Sequence, residues 1–226
     1  MGIVAATLVL LAFAVWRFYN PGRQYDIHGV DVSHHQGQVD WHALAADGTA
    51  FAYIKATEGG DLLDVSFEDN WRGAADAGVL RGAYHFFTLC TPGADQAAFM
   101  VANVPDEPGM LPPAVDLEFT GNCPARPTVA EFRTELDAFL ATVAAHYRMR
   151  PVIYTNAHFF DVYLADDPPE VIWWMHSPIL EPWGSPEWTF WQHTPGSKDG
   201  VTGEVDRNVF HGNRADLEAL TKRAAS

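Results

Sequence analysis

Cysteine is nearly absent: Cys90 and Cys123 are the two in 226 residues, too few for the disulfide-dense scaffolds of small secreted domains. Stability must come from a packed core, and with 48% hydrophobic residues the expectation is one large domain. Positive charge is scarce too, with 14 Lys and Arg against 29 Asp and Glu, a formal net charge of -15. No basic run is available to neutralise phosphates, which excludes nucleic acid as a partner. Internal repeats and low-complexity tracts are missing, so a solenoid or array is excluded. The chain has no His-x-His or Glu-x-x-His spacing, so His34 and His35 read as rim histidines, and neither a metal nor another cofactor is expected. The one long apolar stretch, residues 3–16, is interrupted by Thr7 and falls short of the roughly 20 residues a spanning helix needs. It suits a signal peptide, with Ala12-Phe13-Ala14 as a small-x-small cleavage site, or an uncleaved membrane anchor continuing through Phe18 and Tyr19.

Aromatic residues are plentiful, with eight Trp, seven Tyr and fourteen Phe. Carbohydrate clefts use such rings, although any single one is better assigned to the core. After the linker Asn20-Pro21-Gly22-Arg23, short apolar runs alternate with helical patterns, which predicts an α/β fold. Eight strands are expected near 27–33, 51–57, 80–87, 112–118, 151–155, 171–176, 188–193 and 205–209. Helices are expected near 64–78, 93–103 and 128–147. The last carries Thr128 and Glu131 as a capping box and Phe132, Leu136, Phe139, Leu140 and Val143 on one face. Segments after the fifth to seventh strands are short or Pro-rich, so the expected architecture is a modified (β/α) barrel with an incomplete set of outer helices. Cys90 and Cys123 fall just beyond adjacent strand ends, on one rim. Either they form a disulfide, which would imply an oxidising compartment, or they are two free thiols.

Polar residues cluster at the carboxyl ends of these strands, where parallel barrels place their active sites. Asp31, Lys55 and Glu58, Tyr84 and His85, Tyr154 and Gln192 end strands, and Asp206 opens the last one. The fourth strand ends in Asp116-Leu117-Glu118. Alternation sends both acids out of one face, and neighbouring carboxylates raise each other's cost of ionisation. A proton donor beside an anion is what glycosidic cleavage needs. From this stretch alone, an acidic strand end that caps a helix or binds a cation is an equal alternative.

A longer pattern bears on that choice. Asp31-Val32-Ser33-His34-His35-Gln36-Gly37, Gly48, Tyr53-Ile54-Lys55-Ala56-Thr57-Glu58-Gly59 and Asp64 fill every position of a signature, and the sequence resembles glycoside hydrolase family 25, the lysozymes. The likeness continues through Gly82-Ala83-Tyr84-His85-Phe86-Phe87, Asp116-x-Glu118, Pro151-Val152-Ile153-Tyr154, Trp188-Thr189-Phe190-Trp191-Gln192 and Val205-Asp206-Arg207-Asn208. The resemblance implies an exported N-acetylmuramidase that acts on peptidoglycan at the periplasmic or extracellular side. Residues 1–24 would be a signal or anchor segment and 25–226 the catalytic domain, expected as a monomer. Glu118 would be the general acid and Asp116 the stabiliser of developing positive charge, with Asp31 and Asp206 completing an acidic floor. Tyr53, Lys55, Glu58, Tyr84, His85, Tyr154, Trp174 and Gln192 would serve substrate binding. His176 departs from the residues common in relatives, and Trp188 and Trp191 suit sugar stacking or core packing equally. Two rivals are a metal-dependent hydrolase using Asp31, His85, Asp116 and Glu118, and a silent peptidoglycan-binding module.

Overall fold

The structure, a computed structural model, describes residues 21–182, 184 and 186–223. The signal or anchor segment expected over residues 3–19 lies outside them. Among the described residues no helix is long and apolar enough to cross a membrane.

β1 (Ile27–Val32), β2 (Thr49–Glu58), β4 (Leu80–Phe86), β5 (Ala114–Leu117), β6 (Val152–Asn156), β7 (Ile172–His176), β8 (Phe190–Gly196) and β9 (Val205–Phe210) form a closed eight-stranded barrel. The two-residue β3 (Leu62–Leu63) folds back antiparallel on the end of β2. From β1 through β8 every barrel pairing is parallel, whereas β9 runs antiparallel to both β8 and β1. The eight expected strands are present, but the last joins the sheet by a hairpin-like return rather than a crossover. That reversal explains why Asp206, at the start of β9, shares a rim with residues at the ends of the other strands.

Six helices are described: α1 (Trp41–Ala46), α2 (Phe67–Asp76), α3 (Gly93–Asn103), α4 (Val129–Tyr147), α5 (Ala157–Tyr163) and α6 (Arg214–Ala219). α4 begins as its sequence dictates, with the Thr128 side chain accepting from Glu131 N–H and the Glu131 carboxylate returning to Thr128 N–H. Its five expected apolar residues are all buried. α1, α5 and α6 were not expected from the sequence, because six or seven residues carry too little periodicity to stand out.

Strand alternation divides the core in two. Outward side chains such as Val30, Ile54, Val115 and Ile153 pack against the helices. Inward ones, including Phe51, Tyr53, Trp174, Phe190 and Phe210, fill the barrel, with Leu217 of α6 among them. Two glycines make room for these rings: a Cβ at Gly29 would meet Phe51 at 2.5 Å, and one at Gly82 would meet Tyr53 at 2.4 Å. The lower barrel is therefore dry and full, and the polar chemistry is confined to the upper rim.

Candidate active site

Asp31 on β1 stands directly opposite Asp206 on antiparallel β9. Phe86, Asp116, Tyr154 and Trp174 are register partners across β4, β5, β6 and β7. Parity sends Asp116 inward, and Glu118, just past β5, follows it. The four acids line one cavity of about 330 Å³ together with Tyr84, Tyr154, Trp174 and Gln192. The neighbouring His176 and Pro195 complete its wall.

A chain of hydrogen bonds fixes one side of this cup. Tyr154 Oη donates to Gln192 Oε1 (2.7 Å), and Gln192 Nε2 donates to Asp31 Oδ2 (2.9 Å). Asn208 Nδ2 donates to the same Asp31 oxygen (2.7 Å), while Trp174 Nε1 donates to Asn208 Oδ1 (2.8 Å). Asp31 is thus held by two amide donors. Asp116 has no comparable support, since its Oδ1 is buried without a hydrogen-bond partner.

Burial and mutual repulsion hold protons on this cluster. Burial, then Asp206, pushes Asp31 up to about 7 against the opposing help of Gln192 and Asn208. Glu118 also rises to about 7, from burial and then from Asp206, with Lys55 pulling the other way. Asp116 is raised well above the ordinary carboxylate range by burial, then by Glu118 and Asp31. Burial and then Glu204 raise Asp206 as well. At neutral pH the cup therefore holds both anions and protonated carboxyls, the mixture that acid-assisted bond cleavage uses.

The remaining expected residues divide. Lys55 Nζ pairs with Glu58 Oε2 at 2.6 Å, and neither lines the cavity. Tyr53 is fully buried below it, with its hydroxyl donating to Pro112 O and its ring stacked on Trp174. It supports the floor and cannot reach a sugar. His85 is corrected more sharply: β4 alternation turns it out of the barrel, where its ring bonds Thr57 and Gln96 and packs on Phe139. Burial pushes it down to about 4, so it is a neutral structural histidine. The metal set proposed through His85 is not assembled, and no group of three or more His, Cys, Asp or Glu suited to holding a metal occurs among the described residues.

Trp188 and Trp191 are buried core residues. His34 bonds Asp64 at 2.7 Å. Asn208 escaped the expected site although it lies two residues from Asp206, on the same face of β9; the period of two would have found it. Cys90 and Cys123 form a disulfide that ties the loop after β4 to the loop carrying Glu118. Between them Asn122 donates to the carbonyls of Glu118 (3.0 Å) and Phe87 (2.8 Å) and accepts from Leu89 N–H.

The comparisons agree with this architecture. Residues 30–201 match the glycosyl hydrolases family 25. Lysozyme M1 of Streptomyces globisporus is 35% identical over 223 residues, covering 92% of this chain and 76% of that protein. The structure of a family 25 glycosyl hydrolase from Bacillus anthracis superposes with a TM-score of 0.83 at 35% identity, covering 88% of this chain and 95% of that one. A bacterial lysozyme from Streptomyces coelicolor gives a TM-score of 0.78 at 34% identity, covering 86% and 96%. With the signature residues, the barrel and the acid cup in agreement, the chain belongs to glycosyl hydrolase family 25.

Proposed function

We propose that the acid cup hydrolyses the β-1,4 bond between N-acetylmuramic acid and N-acetylglucosamine in peptidoglycan, as an N-acetylmuramidase. The observation that carries this reading is the convergence of Asp31, Asp116, Glu118 and Asp206 on one open cavity walled by Tyr84, Tyr154 and Trp174. Glu118 is the general acid. Raised to about 7, it keeps a proton for the leaving oxygen in a large fraction of molecules at neutral pH. Asp116 supports the positive charge that develops at the anomeric carbon, and Asp31 and Asp206 deepen the negative field beneath it. Tyr84, Tyr154, Trp174 and Gln192 contact the sugar, while Lys55 and Glu58 brace the rim.

Asp116 and Glu118 leave the same strand two residues apart, on one side of the bond, so attack comes from the substrate's own 2-acetamido oxygen, oriented by Asp116. Hydrolysis of a substrate carrying a 2-hydroxyl at normal rates would sink this route. The enzyme works outside the cytoplasm, where its disulfide persists, delivered or tethered by residues 3–19. Digestion of purified peptidoglycan followed by mass spectrometry should find N-acetylmuramic acid at the new reducing ends. N-acetylglucosamine there would overturn the assignment.

A further inference from the structure

The outer face of the seam β8–β9–β1 has no crossover helix between β8 and β9. The segment leading into β1 covers it instead, with Tyr25 against Trp191 and Gly22 against His193 and Val209; Trp191, His193 and Val209 are all buried. A second cavity of about 200 Å³ opens there, and Arg23, His28, His193, Lys198 and Arg207 line it with no carboxylate among the lining residues. In a chain of net charge -15, a lining of two arginines, a lysine and two histidines, with the uncharged Pro21, Gly29 and Asn208 beside them, is a local departure, although burial pushes His193 down to about 4 and lowers His28 as well. Lys198 is engaged with Asp47, through the carboxylate and the carbonyl oxygen, both at 3.0 Å.

Arg207 is different. Its Nε donates to Thr194 O at 2.9 Å, yet no carboxylate of the described residues comes within 4 Å of its guanidinium, and Glu204 acts on it only through space. The two Nη groups make no hydrogen bond to the described residues and reach solvent, which leaves them open to an anion. Gly196 packs against that guanidinium, where a Cβ would come within 2.8 Å of Cζ, so any larger residue there would displace it. Across the cavity His193 is 3% exposed, and its Nδ1 makes no hydrogen bond of good geometry, with the Thr194 backbone as the ring's nearest polar neighbour. Unused polar atoms thus meet from two adjacent strands, with His28 entering from a third.

We propose that this pocket binds a phosphoryl group, gripped by the free edge of Arg207 with Lys198, His28 and His193 around it, and that its source is the headgroup of an anionic lipid. Donors arriving from β1, β8, β9 and the loop between the last two suit a tetrahedral oxyanion better than a planar carboxylate, and the guanidinium fork matches phosphate oxygens in pairs. The lipid assignment rests on chain order: Pro21 and Arg23 edge the pocket, and the apolar stretch 3–16 precedes them by a few residues. A barrel tethered by that stretch would present this seam to the membrane surface and keep the acid cup, inside the barrel, for the wall.

The test is titration of the full chain with inorganic phosphate at constant pH and ionic strength, followed through the imidazole NMR signals. His28 and His193 should shift saturably, and Arg207→Met should weaken the apparent affinity at least tenfold. Non-saturating shifts, or equal affinity in Arg207→Met, overturn the site. Should that variant not fold, Lys198→Met gives the same comparison with an expected loss of threefold or more, and no loss has the same adverse meaning. Phosphatidylglycerol vesicles, but not phosphatidylcholine vesicles, should then displace the bound phosphate. Phosphate binding without such displacement overturns the lipid source. None of these readouts depends on glycan cleavage.

Discussion

Asp206 and Arg207 are neighbours in sequence and belong to opposite electrostatic worlds. Asp206 turns inward to a cup of four acids, whereas Arg207 turns outward to a pocket lined by cations and histidines. Like charges gather on each side of one strand. On the inner side they are forced together by the barrel: Asp31 and Asp206 stand directly opposite each other, an arrangement that destabilises a sheet. On the outer side a half-buried guanidinium has no carboxylate within ion-pair distance among the described residues. Both regions depart from what stability alone would select, which is the pattern of sites kept for binding or chemistry.

The comparison can be broken most severely at its inner side. Glu118→Gln preserves shape and removes the proton donor, so kcat should fall between about a hundredfold and ten-thousandfold, with glycan binding retained by calorimetry. Removing the disulfide by Cys90→Ala with Cys123→Ala should cost about 3 to 4 kcal/mol, from freeing a loop of sequence separation 33. Denaturant unfolding measures that loss, which will also loosen the loop behind Glu118.

Smaller effects sharpen the contrast. The acids of the cup hold protons more tightly folded than unfolded. Their stabilisation is therefore complete below the ordinary carboxylate range near 4, and it is lost as pH rises toward about 7, where Asp31 and Glu118 titrate. The melting temperature should decline across that window, and the decline should shrink in Glu118→Gln. Asp116→Asn should melt higher than the parent at pH 8 while losing activity, because burial and the neighbouring acids make this carboxyl costly to ionise and no donor reaches its Oδ1. A lower melting temperature there would show that Asp116 stabilises the fold. Smallest of all, Tyr154→Phe should cost a few-fold in activity by releasing Gln192 from its bond, read as a change in kcat/KM.

Much of this was legible locally. The capping box of α4 and the inward pair Asp116 and Glu118 follow from short-range periodicity, while the cavity-lining Tyr84, Tyr154, Trp174 and Gln192 follow from the family likeness that continues beyond the filled signature. Failures came where parity alone decides the outcome. Tyr84 and His85 are adjacent polar residues on one strand, yet the pleat gives the first to the cup and the second to the helix layer. Tyr53 has the right parity but lies a layer too deep, beneath Trp174. Neither depth nor facing can be read without knowing where the barrel closes.

The sequence by itself determined the elements, the family signature and the supply of acids, because capping, alternation and motif spacing act over a few residues. Only the tertiary structure decided that β9 would return antiparallel, setting Asp206 against Asp31 and Asn208 within hydrogen-bond reach of a residue 177 positions away. Burial in that closed cup, absent from any local stretch, is what raises the carboxyl groups toward neutral pH, and the same closure sets Arg207 on the opposite face of β9 from Asp206.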